Sequence, residues 1–211
     1  KKIKITCFST PFDETAVDFL EKLKCPMYKV ASFEMTDIPL IKKIAKTKKP
    51  MIISTGMADL KEIELTYKTA KKYGAKDITL LYCVSNYPSK ISDFNLNNIK
   101  ILKKKFNCKI GFSDHSKDNR IAAAAAIAGA EIFEKHIALE GQVKGHDIMF
   151  SLKGKELKTY RDEINLSYQL LGEKKFKRNS SENKSKIFRR SIFTSKFIKK
   201  GEKFNLNNIV R

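Results

Sequence analysis

The chain has 211 residues, 42% of them hydrophobic and 31% charged, which supports a packed core and excludes a disordered chain. No apolar run approaches the roughly 20 residues of a membrane span, and Lys1-Lys2-Ile3-Lys4 lacks the apolar stretch of a signal peptide. The formal charge is +20, but it comes from Lys spread along the whole chain, whereas specific nucleic-acid readers lean on Arg, so no nucleic-acid partner is expected and the basicity suits a solvated surface or an anionic small substrate.

Strand-like and helix-like segments alternate along the chain. Ile3–Ser9 is predicted as a strand ending at Thr10-Pro11. Glu14–Lys24 is predicted as a helix, with Val17, Leu20 and Lys24 marking its turns and Phe19 and Leu23 adding apolar mass. Met27–Ser32 is the next strand. Thr36 or Asp37 then caps a helix to about Lys46, with Pro39 in its first turn, where a missing N–H costs nothing. Pro50–Ser54 is a third strand. Asp59 and Glu62 form a capping-box pattern for a helix that reaches Tyr73 and stops at Gly74.

Ile78–Val84 is a fourth strand, followed by Ser85-Asn86-Tyr87-Pro88 and a shorter helix over about Leu96–Phe106. Cys108–Phe112 is a fifth strand, running into Ser113-Asp114-His115. The alanine-rich Ile121–Ala130 is a closely packed helix, and Glu131–His136 is a sixth strand. Lys155–Leu171 is a long amphipathic helix stopped by Gly172. Glu173–Ile187 is polar and reads as a linker. Phe188–Arg211 resumes as the opening of a second, small domain.

This alternation predicts a parallel sheet with right-handed crossovers. Nearly every strand ends in a polar cluster, whereas an open doubly wound sheet concentrates its site at one switch point. The fold expected is therefore α/β, a TIM-type (β/α)8 barrel over residues 1–172. Six strands are visible and a closed barrel needs eight, so two are expected to precede Lys1. The missing initiator Met points the same way.

The four cysteines, Cys7, Cys25, Cys83 and Cys108, show no C-x-x-C spacing. Three of them sit in or beside strand-like runs and are expected to be buried, reduced thiols of a cytoplasmic protein.

Two histidines stand at equivalent places on successive strands, in Ser113-Asp114-His115 and Glu134-Lys135-His136. Strand parity puts Gly111, Ser113 and His115 on one face, and Glu134 with His136 on one face. If both faces look into the barrel mouth, the imidazoles converge as ligands of one divalent metal with open positions for water or substrate. Each histidine could instead cap its strand through hydrogen bonds. Lys29, with Ser32, would suit a phosphate or carboxylate, or be a surface lysine. Glu34 could be a general acid/base or a helix-entry carboxylate. Ser54 and Thr55-Gly56 could be ordinary loop residues.

Tyr28-Lys29-Val30-Ala31-Ser32-Phe33-Glu34, Ile53-Ser54-Thr55-Gly56-Met57, Gly111-Phe112-Ser113-Asp114-His115 and Glu134-Lys135-His136 occur together and in order. This set resembles the sialic acid synthase family, from about Thr10 to the chain end. Cys83-Val84-Ser85-Asn86-Tyr87-Pro88-Ser89-Lys90 and Phe150-Ser151-Leu152 are similar to its pseudaminic acid synthase subgroup. Neuraminate- or legionaminate-type synthases are the alternative.

The resemblance implies condensation of phosphoenolpyruvate with an N-acetylated amino sugar to a nonulosonic acid, with release of phosphate. It implies that His115 and His136 bind a divalent metal, usually manganese, with magnesium or cobalt as substitutes. Thr10, Lys29, Ser32, Ser54, Ser85 and Ser113 would hold phosphoenolpyruvate. Tyr87 and Asp147 would contact the sugar, and Glu34 would be the acid/base. The implied fold is a β/α barrel followed by a small antifreeze-like (SAF) domain, of which residues 188–211 would be the start.

In that family the first two strands carry a glutamate and a lysine of the site, and a domain-exchanged homodimer brings in an arginine from the partner. The chain is thus expected to show little activity alone. Two other classes are left open: a barrel metallo-hydrolase, for which His146 is the spare ligand, and a carbohydrate-binding module.

Overall fold

The computed structural model describes residues 4–211. The chain divides into two compact units, one ending at Leu171 and the other spanning Gly172–Arg211.

The first unit is built on five parallel strands in the order β1 (Tyr28–Val30), β2 (Met51–Ser54), β3 (Ile78–Cys83), β4 (Lys109–Asp114) and β5 (Phe133–Lys135). Helices α1 (Glu14–Lys22), α2 (Ile38–Lys46), α3 (Leu60–Lys72), α4 (Asn97–Lys105) and α5 (Asn119–Ala128) alternate with them. Five strands laid flat would separate β1 from β5 by four spacings, roughly 19 Å. Yet Lys29 Nζ on β1 lies 3.5 Å from Glu134 Oε1 on β5. The sheet is therefore curled into a half-barrel, and these two side chains meet across its concave face.

Local chemistry starts and stops the helices close to where expected, although α1 ends at Lys22, short of Lys24, and α5 runs from Asn119 to Ala128 rather than from Ile121 to Ala130. The Asp13 carboxylate accepts from Ala16 N at 2.7 Å to start α1, and Asp37, not Thr36, caps α2 through Leu40 N. Asp59 and Glu62 close a full capping box on α3. Gly74 and Gly129 take positive φ of 113° and 108° beyond α3 and α5, a conformation that costs a side-chain-bearing residue more. Tyr28, Leu40, Ile53, Leu80, Ile110 and Phe112 are among the wholly buried residues of the core.

Gly111 is required by packing. A Cβ there would stand 2.4 Å from Leu81 Cδ2 and 2.5 Å from the Ile132 carbonyl, so only glycine lets β5 close on β4. On the outer face, Ala122 and Ala126 let α5 pack closely against Tyr160 and Ile164 of α6 (Glu156–Leu171).

Some expectations are corrected. Ile3 lies outside the described residues, and the rest of the segment to Ser9 is reduced to a single parallel bridge between Ser9 and Tyr28. The reason is lack of burial: Lys4 to Ser9 are exposed, so no packed face offsets the cost of ordering them. Among the described residues there are thus five barrel strands rather than six. Cys7 is exposed for the same reason, Cys108 is half-buried, and Cys25 and Cys83 are buried. Phe19 and Leu23 face solvent, while Val17 alone of α1 is fully buried.

One pairing was not anticipated. The chain beyond β5 forms β6 (Ile137–Ala138), which pairs in parallel with β7 (Leu152–Lys153), and Leu152 N donates to the His136 carbonyl at 2.9 Å. Residues 139–151 therefore make a closed excursion beside the site.

The second unit holds a short helix α7 (Ser180–Lys184), a 3-10 turn (Ser185–Phe188) and an antiparallel pair, β8 (Phe193–Thr194) with β9 (Ile209–Val210). Asn208 is buried and organises its loop by donating to Glu202 Oε1 and the Lys203 carbonyl, both at 3.1 Å. Among the described residues no helix is long and apolar enough to cross a membrane.

Candidate active site

The concave end of the half-barrel gathers side chains from the ends of all five strands. Lys29 is 7% exposed. Its ammonium donates to Ser54 Oγ at 2.7 Å and to the Val30 carbonyl at 3.2 Å, besides facing Glu134. Ser113 Oγ donates to the same Glu134 oxygen at 2.7 Å. This buried ammonium, held by one serine hydroxyl, a carbonyl and one carboxylate, puts a charged hydrogen-bond donor at the floor of the site, the kind of group that pairs with an anionic ligand.

A second group lies beside it. Ser32 Oγ accepts from Gly56 N at 3.1 Å and sits 3.2 Å from Cys83 Sγ. A Cβ on Gly56 would fall 2.1 Å from Ser85 Oγ, so the missing side chain is what makes room for these hydroxyls. Ser85 Oγ and Glu34 Oε2 are both buried without a hydrogen-bond partner among the described residues. Orphaned buried polar atoms are uncommon, and in a polar cleft they are candidate ligand contacts.

The histidines form the third group. The His115 and His136 ring centroids are 5.5 Å apart. His115 Nδ1 is 2.9 Å from the Val84 carbonyl, which can only accept, so Nδ1 carries the proton and Nε2, 3.4 Å from Ser113 Oγ, keeps the lone pair that a metal would take. Burial holds the His115 imidazole below its ordinary pKa; the Val84 carbonyl opposes this and the neighbouring His136 reinforces it. Tyr87 lies over His115 at 4.3 Å between ring centroids, and Phe150 stands 5.1 Å from His136. Asp147, exposed, places Oδ2 3.5 Å from His136 Nδ1.

This donor set fits a divalent ion held by two imidazoles with open positions. Among the described residues, no group of three or more His, Cys, Asp or Glu side chains stands at metal-binding spacing, and His146 is exposed.

The expected residues are thus brought together in part. Lys29, Ser54, Ser113, His115, His136, Tyr87 and Asp147 converge, with Ser32 and Ser85 alongside. Glu34 is half-buried in the 3-10 turn Ser32–Glu34. Thr10, beside the Ser9 bridge, makes no side-chain hydrogen bond among the described residues. Two site residues were not singled out from the sequence. Glu134 carried a usable signal, since it shares strand parity with His136. Phe150 carried none beyond its place in a motif, because only folding of the 139–151 excursion returns it to the histidines.

Residues 1–176 match the NeuB family. The chain is 40% identical to the pseudaminic acid synthase of Helicobacter pylori over 210 residues, covering 99% of this chain and 62% of that protein. It is 41% identical to the N,N'-diacetyllegionaminic acid synthase of Campylobacter jejuni over 212 residues, covering 99% of this chain and 64% of that protein. Its fold is similar to the crystal structure of N-acetylneuraminic acid (sialic acid) synthetase from Leptospira borgpetersenii in complex with citrate, with a TM-score of 0.79 and 35% identity over 85% of this chain and 63% of that one. The chain therefore spans less than two thirds of the length of each of these proteins, and by the extent of its match it belongs to the NeuB family.

Proposed function

We propose that this chain is the greater part of the catalytic barrel of a nonulosonic acid synthase, which condenses phosphoenolpyruvate with an N-acetylated amino sugar and releases phosphate. The pseudaminic acid precursor is the sugar put forward first, and legionaminic or neuraminic acid precursors are the alternatives. The observation that carries the reading is the juxtaposition of a buried Lys29 between Ser54 and Glu134 with the His115–His136 pair at the same end of one half-barrel. One group suits a doubly anionic small molecule and the other suits a carbonyl.

Net chemistry in this reading joins C3 of phosphoenolpyruvate to the sugar aldehyde carbon. Water adds at C2, the C2–O bond to phosphate breaks, and phosphate leaves. Lys29, Ser54 and Ser113 would hold the phosphate and carboxylate, with Ser32, Ser85 and Thr10 extending the cradle. His115 and His136 would hold a divalent ion, manganese first and magnesium or cobalt as substitutes, which when bound supplies Lewis-acid polarisation of the aldehyde. Glu34 would move the proton that the reaction requires near the reacting carbons. Tyr87 and Asp147 would orient the sugar, and Phe150 would exclude water from one side. Positioning and charge stabilisation carry most of the rate in such a site.

A SAF domain beginning within residues 188–211 and a domain-exchanged dimer belong to the same proposal. The test is phosphate release from phosphoenolpyruvate by the whole protein that carries this chain. It is run with 2,4-diacetamido hexoses and with N-acetylmannosamine, with and without manganese. Release dependent on both sugar and metal is expected; release without metal, or none with any sugar, would sink the reading.

A further inference from the structure

Behind the two histidines, on the opposite face of the sheet, lies a buried ion pair. Asp114 and Lys135 are register partners on β4 and β5, and each directly precedes one histidine. Lys135 Nζ stands 3.1 Å from Asp114 Oδ2, with side-chain exposures of 5% and 0%. Lys135 also donates to the Ser116 carbonyl, and Asp114 Oδ1 accepts from Ser116 N at 2.8 Å. The residues on both sides of His115 are thus tied to the residue before His136. The Tyr160 ring closes the pocket, its centroid 5.9 Å from the ammonium.

Burying two charges costs desolvation, and an apolar replacement of the same shape is often as stable or more so. Stability is therefore a poor reason for this pair, whereas register is a good one. β5 has only three residues, and a slip of one residue would turn His136 away from the site.

We propose that Asp114 and Lys135 are positioning residues: a staple on the outer face that sets the spacing of the two imidazoles on the inner one. This inference rests on the reading of His115 and His136 as a metal pair. It extends to residues that touch neither metal nor substrate.

The test uses the full chain with Mn2+ alone, following free Mn2+ by its electron paramagnetic resonance signal, with circular dichroism melting in parallel. Lys135→Met strands the Asp114 charge and is expected to lose both thermal stability and metal affinity. Asp114→Asn/Lys135→Gln removes both charges and keeps a hydrogen-bonding group at each position, Asn matching Asp in shape and Gln one bond shorter than Lys. It is expected to regain the melting temperature but to bind Mn2+ ten- to a hundredfold more weakly than the parent, with an altered Co2+ absorption spectrum.

Affinity restored along with stability would overturn the staple and leave the metal pair standing. Should the polar double variant fail to fold, Asp114→Asn alone is read by the same two measurements. His115→Ala separates the two ideas: if it binds Mn2+ as tightly as the parent, or if the parent binds none, the metal pair and the staple both fall.

Discussion

Gly56 and Ser85 share one small volume: a Cβ on Gly56 would stand 2.1 Å from Ser85 Oγ and 2.7 Å from Ser32 Oγ. Gly56 also donates its N–H to Ser32, so the backbone supplies a contact where a side chain would block one. Gly56→Ala is expected to push both hydroxyls out of place. In the whole protein, KM for phosphoenolpyruvate should rise at least about tenfold, the loss of one hydrogen bond to a charged group. The melting temperature should change little. An unchanged KM would mean that the cradle lies elsewhere.

Lys29→Met replaces a buried ammonium with an apolar chain of similar length. Glu134 keeps its Ser113 hydrogen bond and is partly exposed, so the fold should tolerate the change. Phosphoenolpyruvate binding, measured by calorimetry, is expected to fall by roughly a hundredfold, the upper end for hydrogen bonds to charged groups. Equal binding would assign Lys29 to structure alone.

Chelation is expected to remove activity from the whole protein, and Mn2+ to restore it. In the chain itself, Mn2+ at about a hundred times its dissociation constant should add about 2.7 kcal/mol of stability by mass action. That increment should be absent in His115→Ala and in His136→Ala. Differential scanning calorimetry across a metal titration reads both.

Gly111→Ala places a methyl group against the Ile132 carbonyl, which as backbone cannot swing aside. Overpacking of this kind costs typically about 1–3 kcal/mol. Urea denaturation should show that loss, whereas Gly141→Ala, with open space around its Cβ but a positive φ of 76°, tests backbone strain alone. A loss in Gly111→Ala no larger than in Gly141→Ala would contradict the packing argument.

Glu64 offers a pH test away from the site. Hydrogen bonds from Lys105 and Lys68 hold its carboxyl down at about 2, against an ordinary 4.5. A depressed carboxylate contributes stability above its unfolded value and loses it as pH falls through the folded value. The melting-temperature gap between parent and Glu64→Gln should therefore be constant from neutral pH to about 5 and vanish near pH 2. Glu64 is partly exposed and both lysines lie at the surface, so the gap should be small and should shrink in high salt.

Much of the fold was legible because its signals are local. Asp59 with Glu62, Asp37 ahead of Pro39, and Gly74 at a helix end act within one turn of chain, and they appear as read. Strand parity was equally legible: it put Ser113 with His115 on one face and Glu134 with His136 on one face, and the structure turns both faces the same way, where a 2.7 Å hydrogen bond joins Ser113 to Glu134. From Lys4 on, the strand expected over Ile3–Ser9 is reduced to the bridge at Ser9, because an apolar pattern states that a segment can pair, not that a partner buries it.

By itself, then, the sequence determined the alternation of strands and helices, their caps, and which residues of each strand share a face, since these depend on neighbours a few positions away. The tertiary structure decided that Lys29 meets Glu134, that Phe150 returns to the histidines, and that Asp114 and Lys135 lock behind them. Those contacts join residues 105, 14 and 21 positions apart. They exist because the sheet curls and the strands take one register, properties of the whole packed sheet rather than of any single segment.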